Sequence, residues 1–472
     1  MSSLNPGPSH SGEKGKTKSA RSILKIVFAC FVVLMMGGIV SWWWLNRLTV
    51  SEINAPSQMD AQAWPGVQFA ENDWPCWRGS LGNGEAGGPD PVVKWSATEN
   101  IKWCKETPGR GHASPVIIGK QVFLFTADEE KQELSLLAYD RSTGEEKWCT
   151  LLHTGGFPIK HNKNSHASST PVCDGTHVYC VAAANDGVLV TACTTEGKVA
   201  WQTVAGPFLS ENGYGPSPVI WGPYVIVVGD SSPLAMRRIA QSPSFVAALD
   251  RRTGTIIWRM KRPLGHSYGT PTILKSTAGD QLLLGGSEAI ISYDPKNGSE
   301  KWRYAWPGSR VLNTIVTLPG QMLATTSLPS RLTVCLKTTG RGLLGESDVL
   351  WKSERYGCDV PTPLMRPERL YLVDDGGIVT CLASNDGKLL WKGRLGSGSA
   401  ISASPVVHGK HIYVSSENGK TFVFEEGPSF KLLSTNDLGE EQIASPAIAG
   451  GDIFIRTSKH LWCIGDSNKV KQ

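Results

Sequence analysis

Short apolar runs rich in β-branched and aromatic residues alternate with polar stretches along residues 101–466, as in Val122-Phe-Leu-Phe125 and Val178-Tyr-Cys-Val181. Asp-Gly and Asn-Gly dipeptides lie between many of these runs, and both accept the positive φ angles of tight hairpins. They are Asp174-Gly175, Asp186-Gly187, Asn297-Gly298, Asp386-Gly387 and Asn418-Gly419. The pattern predicts an all-β fold of short strands with no room for long helices.

Two phrases recur within this pattern. One is a Gly followed four positions later by a Trp, and the copy at Trp351 carries an insertion after Gly340. The regular copies are Gly144 and Trp148, Gly197 and Trp201, Gly254 and Trp258, Gly298 and Trp302, and Gly387 and Trp391. The other phrase is a Ser-Pro or Thr-Pro pair that opens an apolar strand, where proline is tolerated because no ladder donor is required.

The spacing of the Pro phrase predicts a β-propeller. Successive prolines lie 56 residues apart from Pro115 to Pro171 and 41 apart from Pro405 to Pro446, a range typical of propeller blades. Eight three-stranded cores and eight outer strands can be counted, but the last core lacks an outer strand and Ile101-Lys-Trp103 lacks a core. We therefore predict eight four-stranded antiparallel blades, with the ring closed by the amino-terminal strand, which removes exposed sheet edges.

An uncharged apolar run over residues 26–45 precedes the propeller and ends in Trp42, Trp43 and Trp44. Twenty helical residues would cross a bilayer, and tryptophan favours the membrane interface. The pattern predicts one transmembrane helix with the amino terminus in the cytoplasm and the propeller exported. The alternatives are a cleaved signal peptide, for which the run is long and small cleavage-site residues are missing, and a lipoprotein signal at Cys30.

The predicted organisation has six segments. They are a basic cytoplasmic tail (1–21), a transmembrane signal anchor (22–47), a flexible tether (48–63), an aromatic and Gly-rich lead-in (64–100), the propeller (101–466) and a short tail (467–472).

Charge supports this topology and argues against nucleic-acid binding. The net charge of +5 lies entirely in residues 1–47, which hold six basic residues and one acidic residue. The remaining 425 residues are neutral overall, whereas a nucleic-acid-binding domain concentrates basic charge on its folded surface. Positive charge before the apolar run is the expected signal for a cytoplasmic amino terminus.

The phrase Asp-x-x-Thr-Gly-x-x-x-Trp, seen at Asp140–Trp148 and Asp250–Trp258, resembles the repeat of the pyrroloquinoline quinone (PQQ) propeller family over residues 95–465. That family contains dehydrogenases that use calcium and PQQ, and non-catalytic propellers such as the BamB-like component of outer-membrane protein assembly. The resemblance implies that the repeated Trp residues pack between neighbouring blades, which would make them structural.

The sequence lacks features that the dehydrogenase branch implies. Many such enzymes hold a disulfide of adjacent cysteines against the cofactor, and none of the 11 cysteines here is adjacent to another. No Cys-x-x-Cys-His haem motif and no compact acidic cluster for Ca²⁺ is present. Cys335, Cys381 and Cys463 occupy equivalent strands and are interpreted as buried apolar residues. We expect no cofactor, with calcium and PQQ as the alternative.

Polar and aromatic residues recur in the segments before the core strands, which should open onto one face near the axis. They could form a funnel that binds a peptide, glycan or small ligand, although inter-blade loops are also polar simply because they meet water. The loop 157–166 is the best single candidate, because it is long and its two His and two Lys could approach an anionic group. We expect the double replacement of its two histidines by Ala to spare stability while reducing partner capture. No metal site is predicted there. The candidate binding residues are Arg110, His112, His161, Lys163, Asn164, His166, Tyr214, His266, Tyr268, Arg310 and Asp359, with Cys358 beside the last.

The sequence thus favours a single-pass protein of the bacterial cytoplasmic (inner) membrane, with its propeller in the periplasm or another extracytoplasmic space. Its expected role is non-catalytic binding or scaffolding of a cell-envelope protein or peptide. The alternatives are a PQQ-dependent alcohol or sugar dehydrogenase and a sensor that binds a small ligand on the axis.

Overall fold

The computed structural model describes residues 7, 25–26, 28–36, 49–56, 67–232, 244–263, 265–307, 310–327, 331–396, 398 and 400–466. Residues 1–49 and 50–472 form two separate units. In the first unit, residues 28–36 are helical, and the rest of the predicted anchor lies largely outside the described residues. Among the residues described, no helix has both the length and the apolar character needed to cross a membrane.

Eight antiparallel sheets of the second unit follow one another along the chain, and the inner strands of neighbouring sheets contact each other. Blade 1 comprises Val116–Ile118, Gln121–Asp128, Glu133–Asp140 and Glu146–Thr154. Blade 2 comprises Val172–Cys173, His177–Ala184, Gly187–Thr194 and Val199–Pro207. Blade 3 comprises Val219–Trp221, Tyr224–Gly229, Phe245–Asp250 and Ile256–Lys261. Blade 4 comprises Thr272–Leu274, Gln281–Gly285, Ala289–Tyr293 and Glu300–Ala305.

The second half repeats this plan. Blade 5 comprises Val316–Leu318, Gln321–Thr325, Thr333–Lys337 and Val349–Ser353. Blade 6 comprises Leu364–Met365, Arg369–Val373, Ile378–Ala383 and Leu389–Arg394. Blade 7 comprises Val406–His408, His411–Ser415, Lys420–Glu425 and Leu432–Asp437. Blade 8 comprises Ala447–Ala449, Asp452–Arg456, His460–Ile464 and Ile101–Glu106.

Five short elements complete the described fold. Gly342–Leu343 adds to the outer strand of blade 4, and Glu85–Ala86 adds to the inner strand of blade 7. His266–Ser267 pairs with Arg310–Val311 between the blades, and Glu346–Asp348 forms a 3₁₀ turn.

The ring closes as the sequence predicts. Ile101–Glu106 pairs antiparallel with His460–Ile464, so the first propeller strand completes the last blade. The prediction of an all-β propeller with eight blades is confirmed. Because the two ends of the propeller sequence share one sheet, blade 8 cannot form until both are present.

The repeated Trp residues lie between blades. The Trp258 side chain is fully buried, and its indole N–H donates to the Pro295 carbonyl of the next blade at 3.2 Å. A Cβ atom on Gly298 would lie 2.6 Å from that indole, and Gly298 also has φ of 75°. Glycine is therefore required there both for space and for backbone conformation. The same Trp-to-Gly contact joins Trp103 to Gly144, Trp148 to Gly197, Trp201 to Gly254 and Trp351 to Gly387.

The segment before the propeller packs on it. Within residues 67–100, Trp74 pairs with Ile117 on the inner strand of blade 1, and Ser96 pairs with Asp437 on the outer strand of blade 7. Ile53 pairs with Arg259 on the outer strand of blade 3, and Val50 is buried. The predicted tether over 48–63 therefore differs from the structure at residues 50–53, because an unpaired outer strand offers hydrogen bonds that this segment satisfies. Residues 57–66 lie outside the described set.

All eleven cysteines carry free thiols. Cys335, Cys381 and Cys463 are fully buried within their blades. Burial raises the pKa of each of these thiols, so they remain protonated at neutral pH.

Candidate functional site

A ring of hydroxyl side chains surrounds the propeller axis. One Ser or Thr from each blade contributes. In blades 2 to 8 its hydroxyl oxygen accepts a hydrogen bond from the backbone N–H of the equivalent residue in the preceding blade. Seven such bonds, 2.9 to 3.1 Å long, join successive members. We call this set the hydroxyl ring, and its members are Ser114, Thr170, Ser217, Thr270, Thr314, Thr362, Ser404 and Ser445.

The position of these hydroxyls follows from the repeat. Seven of the eight residues precede a proline that begins an inner strand, and a residue before proline is held in extended conformation. Each side chain then occupies the equivalent position, just before the inner strand, in its blade. The Ser-Pro and Thr-Pro pairs, which predict strand starts, therefore also supply the hydroxyl groups of the hydrogen bonds between blades.

The hydroxyl ring lines a chamber of about 170 Å³, which we call the axial chamber. A second tier of residues, each two positions before a ring member, continues the wall, and the Trp77 side chain from the lead-in also lines the chamber. The second tier consists of His112, Ser168, Gly215, Tyr268, Leu312, Val360, Ser402 and Ile443. None of the residues lining the chamber carries a carboxylate, a lysine amine or a guanidinium.

Two of the predicted binding residues, His112 and Tyr268, line this chamber. The Tyr268 hydroxyl lies 3.2 Å from Ser210 Oγ and accepts from Asn212 Nδ2 at 3.1 Å. Burial raises the pKa of Tyr268, so the phenol stays neutral. Burial and the nearby cations Arg110, Arg456 and Lys160 lower the pKa of His112 to about 3. His112 is therefore a neutral imidazole across the physiological range.

The depressed pKa of His112 predicts acid sensitivity. The unfolded chain takes up a proton near pH 6.5, whereas the folded chain resists it until about pH 3. The stabilising contribution is therefore complete above pH 6.5 and is lost as the pH falls through this window, with a slope of up to about 1.4 kcal/mol per pH unit. We expect His112→Gln to flatten the pH profile of the free energy of unfolding, measured by denaturant titration. The exposed His161, changed to Gln, is the control, and coincident profiles for wild type and His112→Gln would refute the assignment.

The loop 157–166 is fastened across the mouth of the chamber. Lys163 Nζ, between blades 1 and 2, lies 3.0 Å from Glu417 of blade 7, and Ser402 Oγ donates to the same carboxylate at 2.6 Å. Asn164 Nδ2 donates to the Asn212 carbonyl at 2.7 Å. The Asn164 side chain thus fixes the loop, because its amide is used within the protein rather than presented to a ligand.

The two histidines of this loop have different environments. His166 stacks on Phe157 with ring centroids 4.1 Å apart and contacts the Pro158 carbonyl at 3.0 Å. His161 is exposed, as is Ile159. The expectation that replacing both histidines would spare stability does not fit this geometry, because His166 supports the loop and His161 alone faces solvent.

The remaining predicted residues do not converge on the chamber. Tyr214 is buried, and its hydroxyl donates to the Val228 carbonyl at 2.8 Å, which places the side chain in the core between blades. Arg110 donates to the Asn162 carbonyl at 3.1 Å and so supports the loop 157–166. Arg310 is exposed and pairs through its backbone with His266, whose side chain lies outside the described set.

Asp359 lies beside Asp375 near the chamber rim. Burial and the neighbouring Asp359 raise the pKa of Asp375 to about 6. The Asp375 carboxylate accepts the Val360 N–H at 3.3 Å, and the adjacent Cys358 is fully buried. This pair holds a rim loop in place.

Sequence reasoning missed Trp77, Glu417 and the hydroxyl ring. The Ser-Pro and Thr-Pro phrases were a visible signal for the ring, since a hydroxyl recurred at one position of every strong repeat. No signal was available for Trp77 or Glu417. Their positions depend on how the lead-in crosses the inner strands and on which loops meet over the axis.

The donor set does not fit calcium and PQQ. Among the residues described, no group of three or more His, Cys, Asp or Glu side chains could hold a metal ion, and Ca²⁺ takes six to eight oxygen ligands. The chamber volume of about 170 Å³ lies below the roughly 300–1,000 Å³ typical of pockets for drug-sized ligands. We assign no chemical step to this cofactor.

Eight blades joined by the Gly-x-x-x-Trp repeat define a PQQ-like β-propeller, which confirms the resemblance noted in the sequence. The family model described as "Outer membrane protein assembly factor BamB" matches residues 85–244 and 242–470. The chain therefore belongs to the BamB family. BamB of Yersinia pestis is 23% identical over 346 residues, which span 73% of this chain and 71% of that protein.

Two solved structures share the fold at low sequence identity. BamB from Moraxella catarrhalis has a TM-score of 0.54 and 14% identity, covering 77% of this chain and 99% of that chain. The quinohemoprotein alcohol dehydrogenase from Comamonas testosteroni has a TM-score of 0.58 and 11% identity, covering 84% and 81%. Such similarity shows a common fold on which binding and catalytic functions both occur.

Proposed function

We propose that this protein is a non-catalytic binding module of the cell envelope, held at the outer side of the cytoplasmic membrane by residues 26–45. Its partner is an envelope protein or peptide that contacts the mouth of the propeller. The observation that carries the proposal is the loop 157–166, which presents exposed Ile159 and His161 from a base fixed to blades on both sides of the axis. A rigid loop with an exposed apolar tip loses little conformational entropy on binding.

The chemistry of the mouth favours binding over catalysis. His112 is held neutral, and the nearby hydroxyls accept backbone hydrogen bonds rather than contacting a base. Activation of a hydroxyl nucleophile would require a base within hydrogen-bonding distance. Membership of a family described as an outer-membrane protein assembly factor supports a role with protein partners.

The apolar run supports the membrane anchor. Its described side chains are exposed in the chain alone, including Ile26, Phe28, Leu34 and Met36. Exposing a contiguous uncharged apolar surface of this kind to water is unfavourable, and insertion into a bilayer would bury it. The basic residues before the run support a cytoplasmic amino terminus.

Site-specific photocrosslinking tests the proposal in native membranes. A photoreactive amino acid at position 159 of the full chain is expected to capture one discrete envelope protein. The matched control places the same photoreactive amino acid at position 343. Leu343 is exposed and pairs with the outer strand of blade 4. His161→Ala should reduce capture at position 159 without changing thermal unfolding. Equal capture from both positions, or none from either, would contradict the proposal.

A quinoprotein oxidoreductase is the second candidate, favoured by the shared fold with the alcohol dehydrogenase. The full chain in detergent micelles would be titrated with PQQ and Ca²⁺ while absorbance and dye-coupled alcohol or sugar oxidation are followed. Saturable binding with turnover would replace the binding-module proposal, and the small chamber leads us to expect neither.

A further inference from the structure

Two buried arginines without an acidic partner flank the axial chamber. Arg78 is 1% exposed and Arg456 is 2% exposed, and neither forms an ion pair with any described residue. Buried arginines elsewhere in the propeller are paired, since Arg251 lies 3.0 Å from Asp174 and Arg262 lies 2.9 Å from Asp230. Unpaired buried charge is strongly unfavourable, so a nearby anion would stabilise each of these two guanidinium groups.

Arg78 adjoins the chamber at Trp77. Its Nη1 donates to the carbonyl of Pro363, the residue after ring member Thr362, at 2.9 Å, and its Nη2 donates to the Asn83 carbonyl at 2.8 Å. The Nε group is buried and has no hydrogen-bond partner. Burial lowers the pKa of Arg78 to about 9, which shows how poorly its charge is compensated.

Arg456 lies behind the chamber wall. It shares a small cleft with His112 and Ile443, both of which line the chamber. Glu441 also lines this cleft, but its carboxylate forms no ion pair with Arg456. Its guanidinium donates to the Phe125 carbonyl and to Thr126 Oγ1, which are neutral acceptors. Burial lowers the pKa of Arg456 to about 10. Two cations therefore adjoin a chamber whose own wall is uncharged.

The hydroxyl ring adds hydrogen-bond donors. From Thr170 onward its oxygens accept backbone N–H groups, and within the described part of the chain their O–H groups have no acceptor. Each hydroxyl can still donate one hydrogen bond. A wall of free donors beside uncompensated cations is suited to an anion.

We propose that the axial chamber binds a small carboxylate-bearing organic anion, which accepts hydrogen bonds from the hydroxyl ring and balances the charge of Arg78 and Arg456. At about 170 Å³ the chamber has the volume of about six water molecules at ~30 Å³ each. A di- or tricarboxylate of the size of succinate or citrate fits this volume. The loop 157–166 crosses the mouth of this chamber, but anion binding inside the chamber does not depend on the proposed function.

Two substitutions at Gly215 test how a negative charge in the chamber affects anion binding. It lines the chamber, its φ is not in the left-handed region, and an added Cβ would meet only Tyr268 atoms at 3.7 and 3.8 Å. Gly215→Asp and Gly215→Asn therefore place side chains of nearly equal shape in the chamber, differing by one negative charge. Binding of citrate to the full chain in micelles would be measured by calorimetry at fixed ionic strength, with uncharged ribitol as the reference.

We expect saturable one-to-one binding of citrate to wild type and no binding of ribitol. The Kd of Gly215→Asp should exceed that of Gly215→Asn by at least about tenfold, because like charges at short range repel in a buried site. Arg78→Met should also weaken binding, with far-UV circular dichroism showing that the fold is intact. Absence of citrate binding to wild type, or equal Kd values for the two Gly215 variants, would overturn the proposal.

Discussion

Trp258→Ala is expected to lower the free energy of unfolding by about 3–5 kcal/mol, the range for removing a large aromatic from a packed core. Trp258 is fully buried between blades 3 and 4, and its indole N–H has one acceptor, the Pro295 carbonyl. Because Gly298 has no Cβ, the Trp258 indole can occupy the space that a Cβ would fill. Truncation therefore leaves a cavity that neighbouring backbone cannot fill, and it also leaves the Pro295 carbonyl without this bond.

Guanidinium unfolding of the full chain, followed by far-UV circular dichroism, measures this loss. Leu343→Ala is the control, because this exposed side chain lies at the edge of the same region and should change stability by less than about 0.5 kcal/mol. A loss of under about 1 kcal/mol for Trp258→Ala would show that the repeat Trp is not the principal inter-blade contact.

Arg262→Met is expected to lower the free energy of unfolding by about 3–5 kcal/mol, because it leaves the Asp230 carboxylate buried without a counter-charge. Arg262 binds both Asp230 oxygens, at 2.9 and 3.1 Å, and also contacts the Tyr293 hydroxyl and the Gly285 carbonyl at 3.2 Å. Both side chains of the pair are at most 3% exposed. Burial already raises the pKa of Asp230 against the opposing effect of Arg262.

The double variant Asp230→Leu with Arg262→Met separates pairing from packing. Replacing both partners with apolar groups removes the stranded charge, so we expect it to recover most of the stability lost in Arg262→Met. Urea unfolding at pH 7 would measure both variants and Asp230→Leu alone. If the double variant is as unstable as Arg262→Met, then the contacts of Arg262 with Tyr293 and Gly285 outweigh the ion pair.

The blades were predictable because each is specified by local sequence. Gly298 and Trp302 belong to one short phrase, and the hairpin dipeptides and strand-opening prolines are read within a few residues. Counting such phrases fixed the number of blades. The closing strand was predictable for the same reason, since one outer strand lacked a core and one core lacked an outer strand.

The binding residues were less predictable because a loop can direct a polar side chain inward or outward. Of the predicted set, His112 and Tyr268 line the chamber, while Tyr214 enters the core and His166 packs beneath its own loop. The residues two positions before each ring member line the chamber. Their individual orientations depend on contacts with blades far away in sequence, as Lys163 shows with Glu417.

The sequence by itself determined the number of blades and the closure of the ring, because these follow from periodic local signals. Its resemblance to the PQQ propeller family implied the inter-blade position of the repeat Trp residues. Only the tertiary structure decided which strands residues 67–100 contact, and that Arg78 and Arg456 are buried without forming ion pairs with described residues. The physical reason is that charge compensation depends on the distance between side chains in space. That distance is set by the closed ring and leaves no trace in sequence spacing.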